Sequence, residues 1–152
     1  MNRTSDWWDR WFVGLARYVA SASKDPSTQT GAVVVDGRRR VVSVGYNGFA
    51  RGVSDDPARY ADRNAKYKMI VHCERNAILF AGRDLTGCTL YTWPFLSCAP
   101  CAAVVIQSGI SRVCAPVLPS VLAARWGADL DLAKVMFGEA GVEVCELEDD
   151  RG

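Results

Sequence analysis

Apolar residues recur at helical spacing near the start of the chain, at Trp8, Trp11, Phe12, Leu15, Ala16 and Val19. This period predicts an amphipathic helix from Asp6 to about Ser23, with Thr4 or Ser5 as N-cap and the tryptophans packed into the core. Pro26 sits in a polar loop and blocks further helix. Ala32-Val33-Val34-Val35 is a short continuous apolar strand, Asp36-Gly37 a hairpin signal, and Val41 to Tyr46 the returning strand. Arg38, Arg39 and Arg40 fall at the hairpin tip, where a solvated face is expected. From Asn47 to about Ile70 the chain is polar. So long a connection is seldom structureless, which predicts short helical turns and a wall for a functional site.

The second half is more apolar. His72 to Ala81 and Cys98 to Ser108 are hydrophobic on nearly every side, which predicts two buried helices, with Gly82 and Gly109 where they end. Thr89–Thr92 and Arg112–Ala115 read as strands, and Pro116 and Pro119 break the chain. A last helix is expected over roughly Asp129 to Ala140 and a terminal strand over Val142 to Cys145. Residues 146–152 read as an acidic tail without defined structure. The alternation of helices with five strands predicts an α/β fold, a three-layer α/β/α sandwich around a five-stranded mixed sheet. The helix beginning at Cys98 links two strands, so its start lies at the carboxyl edge of the sheet, where sites in such folds collect. Residues 1–152 show no linker or repeat and read as a single domain.

Composition narrows the function. The chain has 152 residues, 49% of them hydrophobic and 23% charged, values of an ordinary globular protein. A net charge of +1 gives no field for holding a nucleic-acid backbone. No apolar run approaches the ~20 residues of a membrane span, and the start lacks a secretory apolar core. A cytoplasmic protein is expected, with its six cysteines reduced.

Two stretches carry chemistry: Val71-His72-Cys73-Glu74 and Ser97-Cys98-Ala99-Pro100-Cys101. One imidazole and two thiolates are the ligand set of a catalytic zinc, which leaves its fourth position to water. Cys98 and Cys101 are i, i+3 at a helix start, so their sulfurs share a face, and the helix terminus favours thiolates. His72 and Glu74 are i, i+2 and diverge, which frees Glu74 to move protons while His72 ligates. Zinc brings a water pKa down toward ~7. These parts suit attack on an amidine carbon followed by ammonia loss. A structural zinc site would need a fourth protein ligand, and Cys73 points ~100° away around the helix. A redox pair would leave the H-x-E stretch unexplained.

These residues, with Ser23-Lys24-Asp25-Pro26-Ser27-Thr28-Gln29-Thr30-Gly31-Ala32, Gly45-Tyr46-Asn47-Gly48-Phe49-Ala50-Arg51-Gly52, Lys66-Tyr67 and Ile106-Gln107-Ser108-Gly109-Ile110, resemble the cytidine and deoxycytidylate deaminase superfamily, and within it the dCMP deaminase branch. The likeness runs from about Trp8 to Val113. It implies a cytidine deaminase-like fold, one catalytic Zn²⁺ per chain on His72, Cys98 and Cys101, and Glu74 as acid/base, with water added at C4 of the pyrimidine. It further implies substrate contacts from Asn47 and, through backbone groups, from Ala32 and Cys73. The expected partner is a pyrimidine (deoxy)nucleotide, with no nucleic acid or membrane, in a homo-oligomer. Lys24, Arg51 and Lys66 are candidates for a phosphate site. Cys73 stands where the family has Ala, Ser97 where it has Pro, and the segment Thr92–Ser97 is one residue longer. The alternatives are a related deaminase of a nucleoside, free base or other heterocycle, and a non-catalytic zinc-holding module.

Overall fold

A computed structural model describes residues 2–148. In chain order its elements are α1 (Ser5–Ala20), β1 (Gly31–Val35), β2 (Val41–Tyr46), β3 (Gly48–Phe49), α2 (Pro57–Ala61), α3 (Arg63–Met69), β4 (Ile70–Val71), α4 (Cys73–Ala81), β5 (Thr89–Trp93), α5 (Ala99–Gln107), β6 (Arg112–Pro116), α6 (Ala123–Glu139) and β7 (Glu143–Leu147). A 3-10 turn, Ser120–Leu122, leads into α6. Five strands form one sheet in the order β2-β1-β5-β6-β7. β1 is antiparallel to β2 and β5, whereas β5, β6 and β7 are parallel, so the sheet is mixed as expected. β3 and β4 pair separately.

Strand side chains alternate between two faces, and each face has its own core. Ala32, Val34, Leu90, Val113 and Ala115 meet Ala77 of α4, Ala102 and Val105 of α5, and Leu130, Ala133 and Phe137 of α6. Val33, Val35, Tyr91 and Cys114 face the other way, onto Phe12, Val13 and Ala16 of α1. This is the three-layer sandwich. Two glycines let helices lie directly on the sheet. A Cβ at Gly31 would run into the backbone of Ala16 and Ala20 in α1, and one at Gly45 into Ala77 N and Cys73 O of α4. The second contact fixes the start of α4, where His72 and Glu74 lie. Among the described residues no helix is long and apolar enough to cross a membrane.

Several expectations are corrected. α1 is capped by Thr4 but ends at Ala20, well before Pro26, because Ser21 Oγ donates to Tyr18 O and Ser23 Oγ to Asn47 O. Its tryptophans are core only in part: Trp8 packs on the core, stacked on Phe12, whereas Trp11 is 47% exposed and Trp7 is partly exposed. The buried face instead carries Asp9, held by Tyr91 Oη and both terminal nitrogens of Arg112 at 2.8 Å. That anchor turns the helix so that the tryptophans pack edge-on against one another and under Arg3 and Arg39. The helix from Cys73 to Ala81 is not buried all round, since Leu79 and Phe80 are exposed. The last helix begins at Ala123, six residues before the expected Asp129. The terminal strand runs through Glu146 and Leu147, where Glu146 pairs with Lys134 and Leu147 is buried. Residues 149–152 of the expected tail lie outside the described residues. The polar connection holds α2, α3 and two short strands.

Candidate metal centre and its cavity

The starts of α4 and α5 converge. His72 is the N-cap of α4 and Cys98 that of α5, and neither side chain caps the backbone N–H groups of its helix. Their side chains are therefore free to meet elsewhere. His72 Nδ1 lies 3.4 Å from Cys98 Sγ and 3.2 Å from Cys101 Sγ. Tetrahedral zinc with ordinary Zn–N and Zn–S lengths places co-ligands about 3.5 Å apart, so the three residues fit one ion. All three ligand atoms lie within 4.8 Å of one another, and among the described residues no fourth His, Cys, Asp or Glu joins them. Cys73 is turned away, its thiol donating to Glu74 Oε2 at 3.1 Å. Cys88 is buried in the core on the α4–α6 side of the sheet, and Cys114 in that against α1. A position for water or substrate is left.

The electrostatics ask for a cation. A hydrogen bond from Cys101, followed by one from His72, brings the Cys98 thiol down to about 5 against the opposing effect of burial. The Cys101 thiol is pushed up because it lies beside Cys98 and is buried. One thiolate forms readily, and a second is unfavourable until a positive ion stands between them. The hydrogen bond with Cys98 raises the His72 pKa, and burial opposes it. Asp9, Cys114 and Cys145 also cluster, but Arg112 already supplies the positive charge there, on both Asp9 oxygens.

The start of α5 is held from outside. Asp129 of α6 accepts from Ala99 N at 3.0 Å, between the two cysteines in sequence. Pro100 follows within the first turn, where a missing N–H costs nothing. Ser97, at the position where the family has Pro, is buried and its hydroxyl has no partner among the described residues.

These residues open into a cavity whose empty space, with the solvent at its mouth included, is about 630 Å³. Glu74, itself 5% exposed, lines it with His72, Cys73 and Cys98. Thr28, Thr30, Asn47, Lys66, Tyr67 and Ile70 form one wall, and Trp93, Phe95, Leu96, Arg125 and Trp126 the other. The longer segment at 92–97 turns through a cis Trp93–Pro94 bond and sets Phe95 against Trp126, with ring centroids 5.7 Å apart.

Not every expected contact is brought together. Asn47 reaches the cavity, but its Oδ1 accepts from Thr30 N and its Nδ2 donates to Thr28 O, both at 2.9 Å. Its amide shapes the loop at 25–30. Ala32 is fully buried in β1 and does not line the cavity. Of the phosphate candidates, Lys24 pairs with Asp55 outside the cavity and Arg51 also lies outside it. Lys66 lines the cavity but is bound to Asp25. Arg125 was missed as a site residue. Its sequence signal is weak, an Arg-Trp pair after a Pro-containing break.

A family model of the cytidine and deoxycytidylate deaminase zinc-binding region matches residues 6–116. An uncharacterized deaminase from the luxG 3′ region of Aliivibrio fischeri is 47% identical over 140 residues, 92% of this chain and 93% of that protein. A probable deoxycytidylate deaminase of Drosophila melanogaster is 44% identical over 117 residues, 70% of this chain, and the chain spans 57% of that relative's length. The fold matches that of a dCMP deaminase from the cyanophage S-TIM5, crystallised with dCMP and dUMP, with a TM-score of 0.68 at 18% identity, covering 96% of this chain and 100% of the other.

Proposed function

The chain belongs to the cytidine and deoxycytidylate deaminase family, and from that premise we propose that it converts dCMP and water to dUMP and ammonia. His72, Cys98 and Cys101 hold one Zn²⁺. Bound there, the ion supplies Lewis acidity that brings the pKa of water toward ~7. Glu74, in the first turn of α4, takes one proton of the attacking water at its carboxylate and delivers it to the pyrimidine ring nitrogen, then takes that water's second proton as the C4 carbonyl forms and delivers it to the departing amine, which leaves as ammonia. Cys73 aims Glu74 by donating to Oε2. Its backbone N–H, in the first turn of α4, meets the base. Asn47 acts by holding the 25–30 loop against the cavity. The 92–97 segment and α6 close off bulk water.

The observation that carries this reading is the meeting of three ligands, with no fourth among the described residues, beside a buried carboxylate that lines a cavity. A zinc-holding module without turnover needs neither Glu74 nor a free position. The whole chain acts as one catalytic domain in the cytoplasm, where its unpaired cysteines remain thiols. It assembles with copies of itself through the exposed Val41, Val44 and Tyr46 of edge strand β2 and Leu79 and Phe80 of the adjoining α4.

The test is ammonia release from dCMP, CMP, deoxycytidine, dCTP and cytosine by the zinc-loaded protein. Glu74→Gln is expected to retain zinc by metal analysis and to lose about 10²–10⁴-fold in turnover. No release from dCMP overturns the substrate. Full activity in Glu74→Gln overturns the mechanism.

A further inference from the structure

We propose that Arg125 is the residue that receives the phosphate of the substrate, so that α6 selects phosphorylated over unphosphorylated pyrimidine. The inference rests on the deaminase reading above and names the group that gives it nucleotide specificity.

The charges of the cavity lead there by elimination. A nucleotide brings a dianion into a space that already holds Asp25, Glu74 and the zinc thiolates. Lys66 is 7% exposed, and its Nζ lies 2.9 and 2.8 Å from the two oxygens of Asp25 and 2.7 Å from Ser27 Oγ. An ammonium has three N–H groups, and these have their acceptors. Lys66 could reach a phosphate only by abandoning a buried carboxylate.

Arg125 is in the opposite condition. It is exposed on the cavity wall, its Nη2 donates to Tyr67 Oη at 2.5 Å, and its Nε and Nη1 have no partner among the described residues. A guanidinium offers five N–H donors in a flat fork that fits phosphate oxygens in pairs. That fork is held: its carbon is 5.0 Å from the Trp126 ring centroid, and Trp126 packs on Phe95. Tyr67 belongs to α3 and Arg125 to α6, so the pair spans the mouth.

The same helix is tied to the metal ligands. Arg125 and Asp129 are i, i+4 on one face of α6, and Asp129 holds Ala99 N beside Cys98. The cation therefore stands at a fixed remove from the reacting centre. The family match ends at residue 116, before α6 begins. The element that selects the substrate is separate from the region that defines the chemistry.

The experiment compares zinc-loaded wild type, Arg125→Gln and Tyr67→Phe. Two ratios are measured: kcat/KM for dCMP over deoxycytidine, and calorimetric affinity for dUMP over deoxyuridine. Arg125→Gln is expected to cut both by about 10–100-fold. Tyr67→Phe removes the bridge but leaves the cation, and is expected to retain most of the preference. Unchanged ratios in Arg125→Gln overturn the inference, as does a loss in Tyr67→Phe equal to that in Arg125→Gln. If wild type releases no ammonia from dCMP, the deaminase reading fails by itself. The binding ratio still judges Arg125: a dUMP preference that Arg125→Gln abolishes supports the assignment, and no preference in wild type refutes it.

Discussion

Replacing Lys66 with Met separates a structural cation from a substrate-binding one. Lys66 and Asp25 are 7% and 3% exposed and joined by bonds of 2.8–2.9 Å. Removing one partner of a buried ion pair costs about 3–5 kcal/mol. The lower end applies, because Asp25 Oδ1 also accepts from Ser27 N at 2.9 Å, Ser27 Oγ at 3.0 Å and Thr28 N at 3.2 Å. For a chain of this size about 3 kcal/mol corresponds to a fall of roughly 6–12 °C in melting temperature. Scanning calorimetry on the zinc-loaded protein reads it directly. The pH dependence is a second signature. Burial pushes the Asp25 carboxyl up, but Lys66 and the Ser27 and Thr28 amides outweigh it and hold the group below its usual value. A depressed folded pKa gives stability that is present above the unfolded pKa and lost as pH falls. The gap between wild type and Lys66→Met is therefore full at pH 7 and narrows below about pH 4. A double-mutant cycle with Asp25→Asn isolates the pair. Melting unchanged, with the preference for dCMP over deoxycytidine abolished, would refute this account and make Lys66 the phosphate ligand.

Other perturbations probe how the centre is held. Asp129→Ala removes the acceptor for Ala99 N and should weaken zinc about 10–100-fold in competition with a chromophoric chelator, while Asp129→Asn retains most of the affinity. Equal affinities in wild type and Asp129→Ala would show that α6 does not support the ligands. Gly45→Ala drives a methyl group into the backbone of α4, so it should cost at least about 1–3 kcal/mol and reduce bound zinc. A melt and zinc content identical to wild type would mean that α4 can shift freely at its start.

Which parts of this molecule were legible in the sequence follows from how far apart the deciding partners lie. The hairpin, the sheet and the order of elements depend on short apolar periods, and these read correctly. The metal centre was legible because its ligands come in two tight groups, each at a helix start. His72 with Glu74, and Cys98 with Cys101, needed one juxtaposition, and that came with the fold. The residues whose roles the sequence conceals share the opposite property. Asp9 looks like a solvent-facing residue in a helix until Arg112, 103 positions later, is set against it. Lys66 resembles any surface cation until Asp25, 41 positions earlier, closes on it. Arg125 depends on Tyr67, 58 positions away, and on a helix start obscured by Pro116, Pro119 and Gly127. Leu79 and Phe80 fail for another reason: apolar character predicts burial, but only packing decides against what, and among the described residues nothing covers them fully. Metal coordination forces its residues into local motifs, so the reaction is recognisable from short spacings. Charge complementarity imposes no spacing, and α6 and the 25–30 loop can tune it without altering any motif. Likeness over residues 6–116 thus carries zinc chemistry with it, while Arg125, the residue proposed to select the nucleotide, lies beyond that span.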